Sequence, residues 1–201
     1  MRVLNLFAGI GGNRKLWEDV EVTAVELDET IANIYQDNFP DDLVILGDAH
    51  QFLLDHYMNF DFIWASPPCQ SHSRARFWGD HKPIYPDMML YEEILFLQHH
   101  YKGLFCVENV VGYYPPLVKP QSIGRHYFWA NFYITEFEEP DYDFDSVNDL
   151  QRHKGFDISG YSGFRKDAVL RSAIYPPLGL HVLDCARGFT QQTLGGFIVG
   201  C

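Results

Sequence analysis

Five short apolar runs constrain what this chain can fold into, because each stops at glycine or polar residues and most lead into a helix-like stretch. The run from Val3 to Phe7 ends at Gly9, Gly11 and Gly12, and "EVTAVEL" ends at Glu26 and Leu27. "LVILG" leads to Asp48-Ala49, "FDFIWA" to Ser66–Cys69, and "LFCVEN" finishes in Glu108-Asn109. Runs this short and rich in β-branched and aromatic residues read as strands. Between them, "NRKLWED" predicts a first helix. Asp28 predicts the N-cap of a second, built on Ile31, Ile34 and Tyr35 and stopped by Pro40. "HQFLLDHYM" is a third, and Pro86-Asp87 opens a longer one through "MMLYEEILFLQHHY" to Gly103. Strands alternating with helices predict an α/β fold: a mostly parallel sheet covered by helices on both faces.

Beyond these, "HYFWANFYI" adds a strand and "YPPLGLHVLDCA" a last helix with Pro176 and Pro177 at its start. Between them, residues 136 to about 169 break the pattern, being acidic and then glycine-rich. They read as a small insertion. The expected organisation is a domain over 1–130, a small insertion over 131–170 and a C-terminal segment over 171–201 that packs back on the first part.

Composition narrows the functional classes. A chain of 201 residues with 47% hydrophobic and 16% aromatic content can bury a full core. No run approaches the roughly 18 apolar residues of a membrane span, and the start lacks a signal-peptide pattern. A cytoplasmic protein without membrane contact is expected. Cys69, Cys106, Cys185 and Cys201 are widely spaced and read as reduced thiols. The net charge of −12 opposes nucleic-acid binding, which normally needs a basic surplus. Charge is nevertheless segregated. "EFEEPDYDFDSVND" has seven acids and no base, whereas the next stretch holds Arg152, Lys154, Arg165, Lys166 and Arg171.

In doubly wound sheets, ligands bind at the carboxyl ends of the strands. Gly9–Gly12, Glu26, Asp48, Ser66–Cys69 and Glu108-Asn109 all fall there. The glycine turn is either a simple turn or a backbone cradle for a ligand. A dinucleotide fingerprint would put a third glycine where Arg14 stands, which disfavours NAD. Glu26 could bind ribose hydroxyls and Asp48 an adenine amine, so an adenosine without pyrophosphate, such as S-adenosylmethionine, suits all three features. Cys69, behind Pro67-Pro68 at the end of a strand, is presented at a turn where a thiolate could act as a nucleophile. Glu108 either caps or meets a substrate ring nitrogen. The other three cysteines read as structural. His99-His100 have no partners at ligand spacing, so no metal is expected.

These residues resemble the cytosine C5 DNA methyltransferases. "LFAGIGG" is similar to that family's first motif, "AVELD" to its second, "GDA" to its third and "SPPCQSHS" to its catalytic Pro-Cys-Gln motif. "ENV" is similar to the sixth and "RSAIYPPLGLHVL" to the last. In the eighth, normally Gln-x-Arg-x-Arg, Gln121 and Arg125 are present and Ile123 replaces the first arginine. Ser172 stands in the last motif where Asn is usual.

The resemblance implies a Rossmann-like, S-adenosylmethionine-dependent methyltransferase in which Cys69 attacks C6 of a flipped cytosine. Glu108 would hold the N3 edge and amine, and Arg125 would support O2. It implies cofactor contacts from Phe7, Gly9, Gly11, Gly12, Glu26, Leu27, Asp48, Ala49 and Pro67. Substrate contacts are implied for Pro68, Gln70, Ser73, Arg74, Arg76, Asn109 and Gln121, with "SHSRARFWGDHKP" as a mobile loop whose two arginines reach phosphates. The recognition region is reduced to about 131–170, which predicts a short or loose target site.

The expected substrate is double-stranded DNA, methylated by a monomeric bacterial or phage enzyme, with a restriction enzyme as a conceivable partner. A tRNA substrate is the nearest alternative. A catalytically idle S-adenosylmethionine-binding interaction protein is another, disfavoured by intact Cys69, Glu108 and Arg125.

Overall fold

A computed structural model describes residues 1–78, 80–140 and 144–188. The predicted Cys201 thiol and the rest of 189–201 lie outside the described residues. The strands are β1 (Arg2–Leu6), β2 (Glu21–Glu26), β3 (Leu43–Leu46), β4 (Phe62–Ala65), β5 (Leu104–Val110), β6 (Gln121–Ile123) and β7 (His126–Ala130). The helices are α1 (Glu29–Asn38), α2 (Ala49–His56), α3 (Met89–His100), α4 (Val147–Lys154), α5 (Lys166–Ser172) and α6 (Pro176–Arg187). The seven strands form one sheet in the order β3-β2-β1-β4-β5-β7-β6. The first five run parallel, while β7 pairs antiparallel with β5 and with β6. The order reverses between β1 and β4, and that switch point is where such sheets open a ligand crevice. The predicted Rossmann-like α/β fold is the observed one.

The chain divides into two compact units: Met1–Ala8 with Val20–Asn131, and Gly9–Asp19 with the chain from Phe132 onward. The first holds the whole sheet. Its core joins Leu4, Leu6, Val25, Ile63 and Val107 to Leu90, Ile94 and Leu97 of α3 and to Leu53 of α2. The all-apolar β4, buried along its length, reads as a continuous run because parallel strands are covered on both faces. α1 starts where Asp28 accepts from the Thr30 and Ile31 amides, as its cap residue type requires.

Three local expectations differ. The "NRKLWED" stretch forms turns, not a helix. Arg14 donates to the Trp17 carbonyl, Asp19 adopts φ +55°, and buried Trp17 sends its indole N–H to the Gly179 carbonyl. Contacts with α6 therefore override a stretch too short to be helical alone. The strand predicted over "HYFWANFYI" stops at Ala130. The Asn131 side chain takes the next positions of the ladder, accepting from the Phe105 amide and donating to the Gly103 carbonyl. β6 was not expected; it forms because Gly124, at φ +56°, turns the chain back onto β7. The stretch read as a small insertion contains α4 and most of α5. Ser146 caps α4 by accepting from the Asp149 amide, and left-handed Gly155 ends it.

Candidate active site

The carboxyl ends of β1 to β5 lie along one edge, and the first unit brings most of the predicted residues to it. Phe7 leaves β1 at φ +53°, a left-handed conformation that a bulky residue adopts only when its surroundings impose it. The neighbouring chain is held in register, with the Ala8 amide on the Val25 carbonyl, the Ser66 amide on the Leu6 carbonyl and the Gly47 amide on the Glu26 carbonyl. Glu26 ends β2, and its Oε1 accepts from the Leu27 and Asp28 amides, which fixes the carboxylate. Leu27 beside it is 73% exposed. Asp48 caps α2 through the Gln51 amide, with Ala49 buried behind it.

Gly9, Gly11 and Gly12 belong to the second unit. Gly9 and Gly11 have φ of +54° and +84°, so glycine is required there. Gly12 is required for packing: a Cβ would lie 2.5 Å from the Ile174 carbonyl oxygen. Gly179 meets Asn13 in the same way, at 2.4 Å. Within this unit the glycine turn and α6, the first and last predicted motifs, are therefore packed backbone to backbone.

After β4 the chain is pinned before it reaches the cysteine. The Trp64 indole donates to the Ser66 hydroxyl at 2.7 Å, and the buried Asn109 side chain donates to the Pro67 carbonyl at 2.9 Å. Cys69 is half-buried between exposed Pro68 and Gln70. Its carbonyl accepts from the His72 and Ser73 amides, which closes the turn. Burial pushes the Cys69 thiol above its ordinary pKa, and the charge of Glu108 pushes it further. Glu108 lies on β5 with its carboxylate nearly buried. Its hydrogen-bond partner among the described residues is His126, whose Nδ1 is 2.6 Å from Oε1. His126 was not predicted as a site residue. The signal was available, as a histidine directly after Arg125 in a strand beside "ENV", but only the antiparallel register joins the two.

Arg125 sits exposed in the turn between β6 and β7, and Gln121 starts β6 across from Phe128. The group within hydrogen-bond distance of Glu108 is His126. The expected mobile loop is tied down in its first part. Ser73 bridges to Gly112, Arg74 Nε donates to the Gly112 carbonyl, and Arg76 donates to the Lys82 carbonyl. Each guanidinium has five donors, so both arginines keep further donors for a phosphate.

The family description "C-5 cytosine-specific DNA methylase" matches residues 1–120, and the chain belongs to that family. A tRNA (cytosine(38)-C(5))-methyltransferase of Rattus norvegicus is 31% identical over 121 residues, 56% of this chain and 31% of the relative. Its Spodoptera frugiperda counterpart is 29% identical over 143 residues, 68% of this chain and 43% of the relative. The match thus covers less than half the length of each of these curated relatives. A crystal structure of mutant Spodoptera frugiperda DNMT2 is 26% identical with a TM-score of 0.40, covering 56% of this chain and 36% of that one.

The cofactor of this family of methyltransferases is S-adenosylmethionine. The edge fits its adenosine part: Glu26 is anchored at one oxygen, Asp48 is a second carboxylate at the next strand end, and Leu27 offers exposed apolar surface for a flat ring. No helix among the described residues is long and apolar enough to cross a membrane. Among the same residues, no cluster of histidine, cysteine and carboxylate side chains could hold a metal ion.

Proposed function

We propose that this chain transfers a methyl group to C5 of cytosine in a nucleic acid, through a covalent bond from Cys69 to C6. One observation carries the proposal. A strand-end cysteine and a nearly buried carboxylate from the adjacent strand lie close enough for the charge of Glu108 to act on the Cys69 thiol. Cytosine C5 becomes nucleophilic once a thiolate adds to C6. As Sγ bonds to C6, Glu108 stabilises the charge that develops at the N3 and amine edge. When bound, S-adenosylmethionine supplies an electrophilic methyl group. Glu26, Leu27 and Asp48 would orient its adenosine, with Phe7, Ala49 and Pro67 as further cofactor contacts. Loss of the C5 proton and of Cys69 restores the base. Within a duplex the cytosine must first leave the stack, because its C6 is otherwise covered by the neighbouring bases and Cys69 is half-buried.

Duplex DNA is the substrate we favour, in line with the family description. The similarity to tRNA (cytosine(38)-C(5))-methyltransferases favours tRNA as a second reading. Methyl transfer from labelled S-adenosylmethionine to duplex DNA, single-stranded DNA and tRNA, measured in parallel, separates them. Cys69→Ser should lose transfer while keeping cofactor affinity by calorimetry. A Cys69→Ser protein that still methylates C5 would exclude the covalent route.

A further inference from the structure

We propose that His126 is a positioning residue for Glu108: bonded to one carboxyl oxygen, it fixes the carboxylate toward the cytosine and leaves the other oxygen to pass N3 its proton during attack. This role rests on the methyltransferase reading above. It begins from the sheet. β5 and β7 pair antiparallel with Glu108 opposite Phe128 and Val110 opposite His126, so Glu108 and His126 are diagonal neighbours on one face. Their side chains are 7% and 13% exposed, and Nδ1 lies 2.6 Å from Oε1. A carboxylate this buried needs a donor, and a short bond to an imidazole supplies one that can also carry charge. Among the described residues, the charge of Glu108 also acts on Cys69, beyond β4, and on Cys106, two residues before it on the same strand. Both thiols are raised by burial and by Glu108.

The chemistry follows from which oxygen is left available. While the Nδ1–H···Oε1 bond persists, Oε1 is occupied and Oε2 serves the base. The Cys69 thiol gives its proton to Oε2 as Sγ bonds to C6; the C5–C6 pair shifts to C4–C5 and the C4–N3 pair to N3, which takes the proton from Oε2. The proton on His126 stays at Oε1 throughout. After methyl transfer C5 loses its proton, Sγ leaves C6 and N3 returns its proton through Oε2 to Sγ, so the pair is restored. A histidine without the carboxylate would not reach the base, and a carboxylate without the histidine would present either oxygen.

The test compares His126→Phe, which keeps a ring and loses the donor, with His126→Asn, which keeps an N–H near the Nδ1 position. Calorimetric S-adenosylmethionine binding serves as the check on folding. The expected result is a fall in kcat of about tenfold or more for His126→Phe, with KM for nucleic acid and cofactor affinity within about twofold. His126→Asn should recover part of kcat through positioning. A His126→Phe protein with wild-type kcat, or a His126→Asn protein no faster than His126→Phe, overturns the role of His126 while the methyltransferase reading stands. A wild-type protein that methylates none of the three substrates overturns that reading and this role together.

Discussion

At the residue scale, Cys69 is a nucleophile kept protonated until needed. Burial and the Glu108 charge both disfavour its thiolate. A thiol held this way resists adventitious alkylation. It reacts once a substrate excludes water and takes up the Glu108 charge, the outcome expected of a site tuned for one step. The sign is testable. Cys69→Ser subtracts its share from the rate of iodoacetamide labelling followed against pH. The Cys69 midpoint should lie above that of an ordinary thiol, about 8.5. Glu108→Gln removes a negative neighbour, which favours the thiolate, so the midpoint should move to lower pH without reaching the ordinary value. An unmoved midpoint would mean that Glu108 does not act on the thiol.

At the scale of elements, α2 and α3 are joined by an ion pair beneath the strand-end edge. His50, in the first turn of α2, lies 3.0 Å from a carboxyl oxygen of Glu93, which is fully buried on α3. The other carboxyl oxygen of Glu93 is buried with no hydrogen-bond partner among the described residues. The Glu93 hydrogen bond raises the His50 pKa, and burial raises that of Glu93. The two groups therefore compete for a proton at this junction. For His50, a raised folded value means that its contribution to stability is full below about pH 6.5 and fades as pH rises through that folded value. His50 should titrate above an ordinary histidine by NMR, and Glu93→Gln should return it toward the ordinary range. His50→Ala leaves the buried carboxylate unpartnered and should cost about 2–3 kcal/mol in urea unfolding, somewhat under the value for a fully buried pair because His50 is partly exposed. In the second unit, Gly179→Ala would drive a Cβ to 2.4 Å from the Asn13 backbone. It should destabilise that unit by about 1–3 kcal/mol, read as a lower unfolding midpoint.

At the scale of the whole molecule, a net charge of −12 means that nucleic acid must be met by a few local cations against an opposing field. Binding should therefore weaken steeply with added salt only to the extent of those few contacts. If Arg74 and Arg76 reach phosphates, replacing both by Ala should flatten the slope of log K against log salt by about two. An unchanged slope would remove them from the interface. The sequence by itself determined the parallel strands, the cap at Asp28 and the convergence of Glu26, Asp48, Cys69 and Glu108 on one edge. Each of these rests on local signals, such as apolar period, cap chemistry and the residue that ends a run. Only the tertiary structure decided that "NRKLWED" is not a helix, since the partners that divert it lie more than 150 residues away in α6. The same holds for β6, which exists only through its pairing with β7. It holds above all for His126: a strand register joins residues 18 apart that no periodicity connects, because hydrogen-bonded pairing, and not sequence spacing, sets which side chains meet across a sheet.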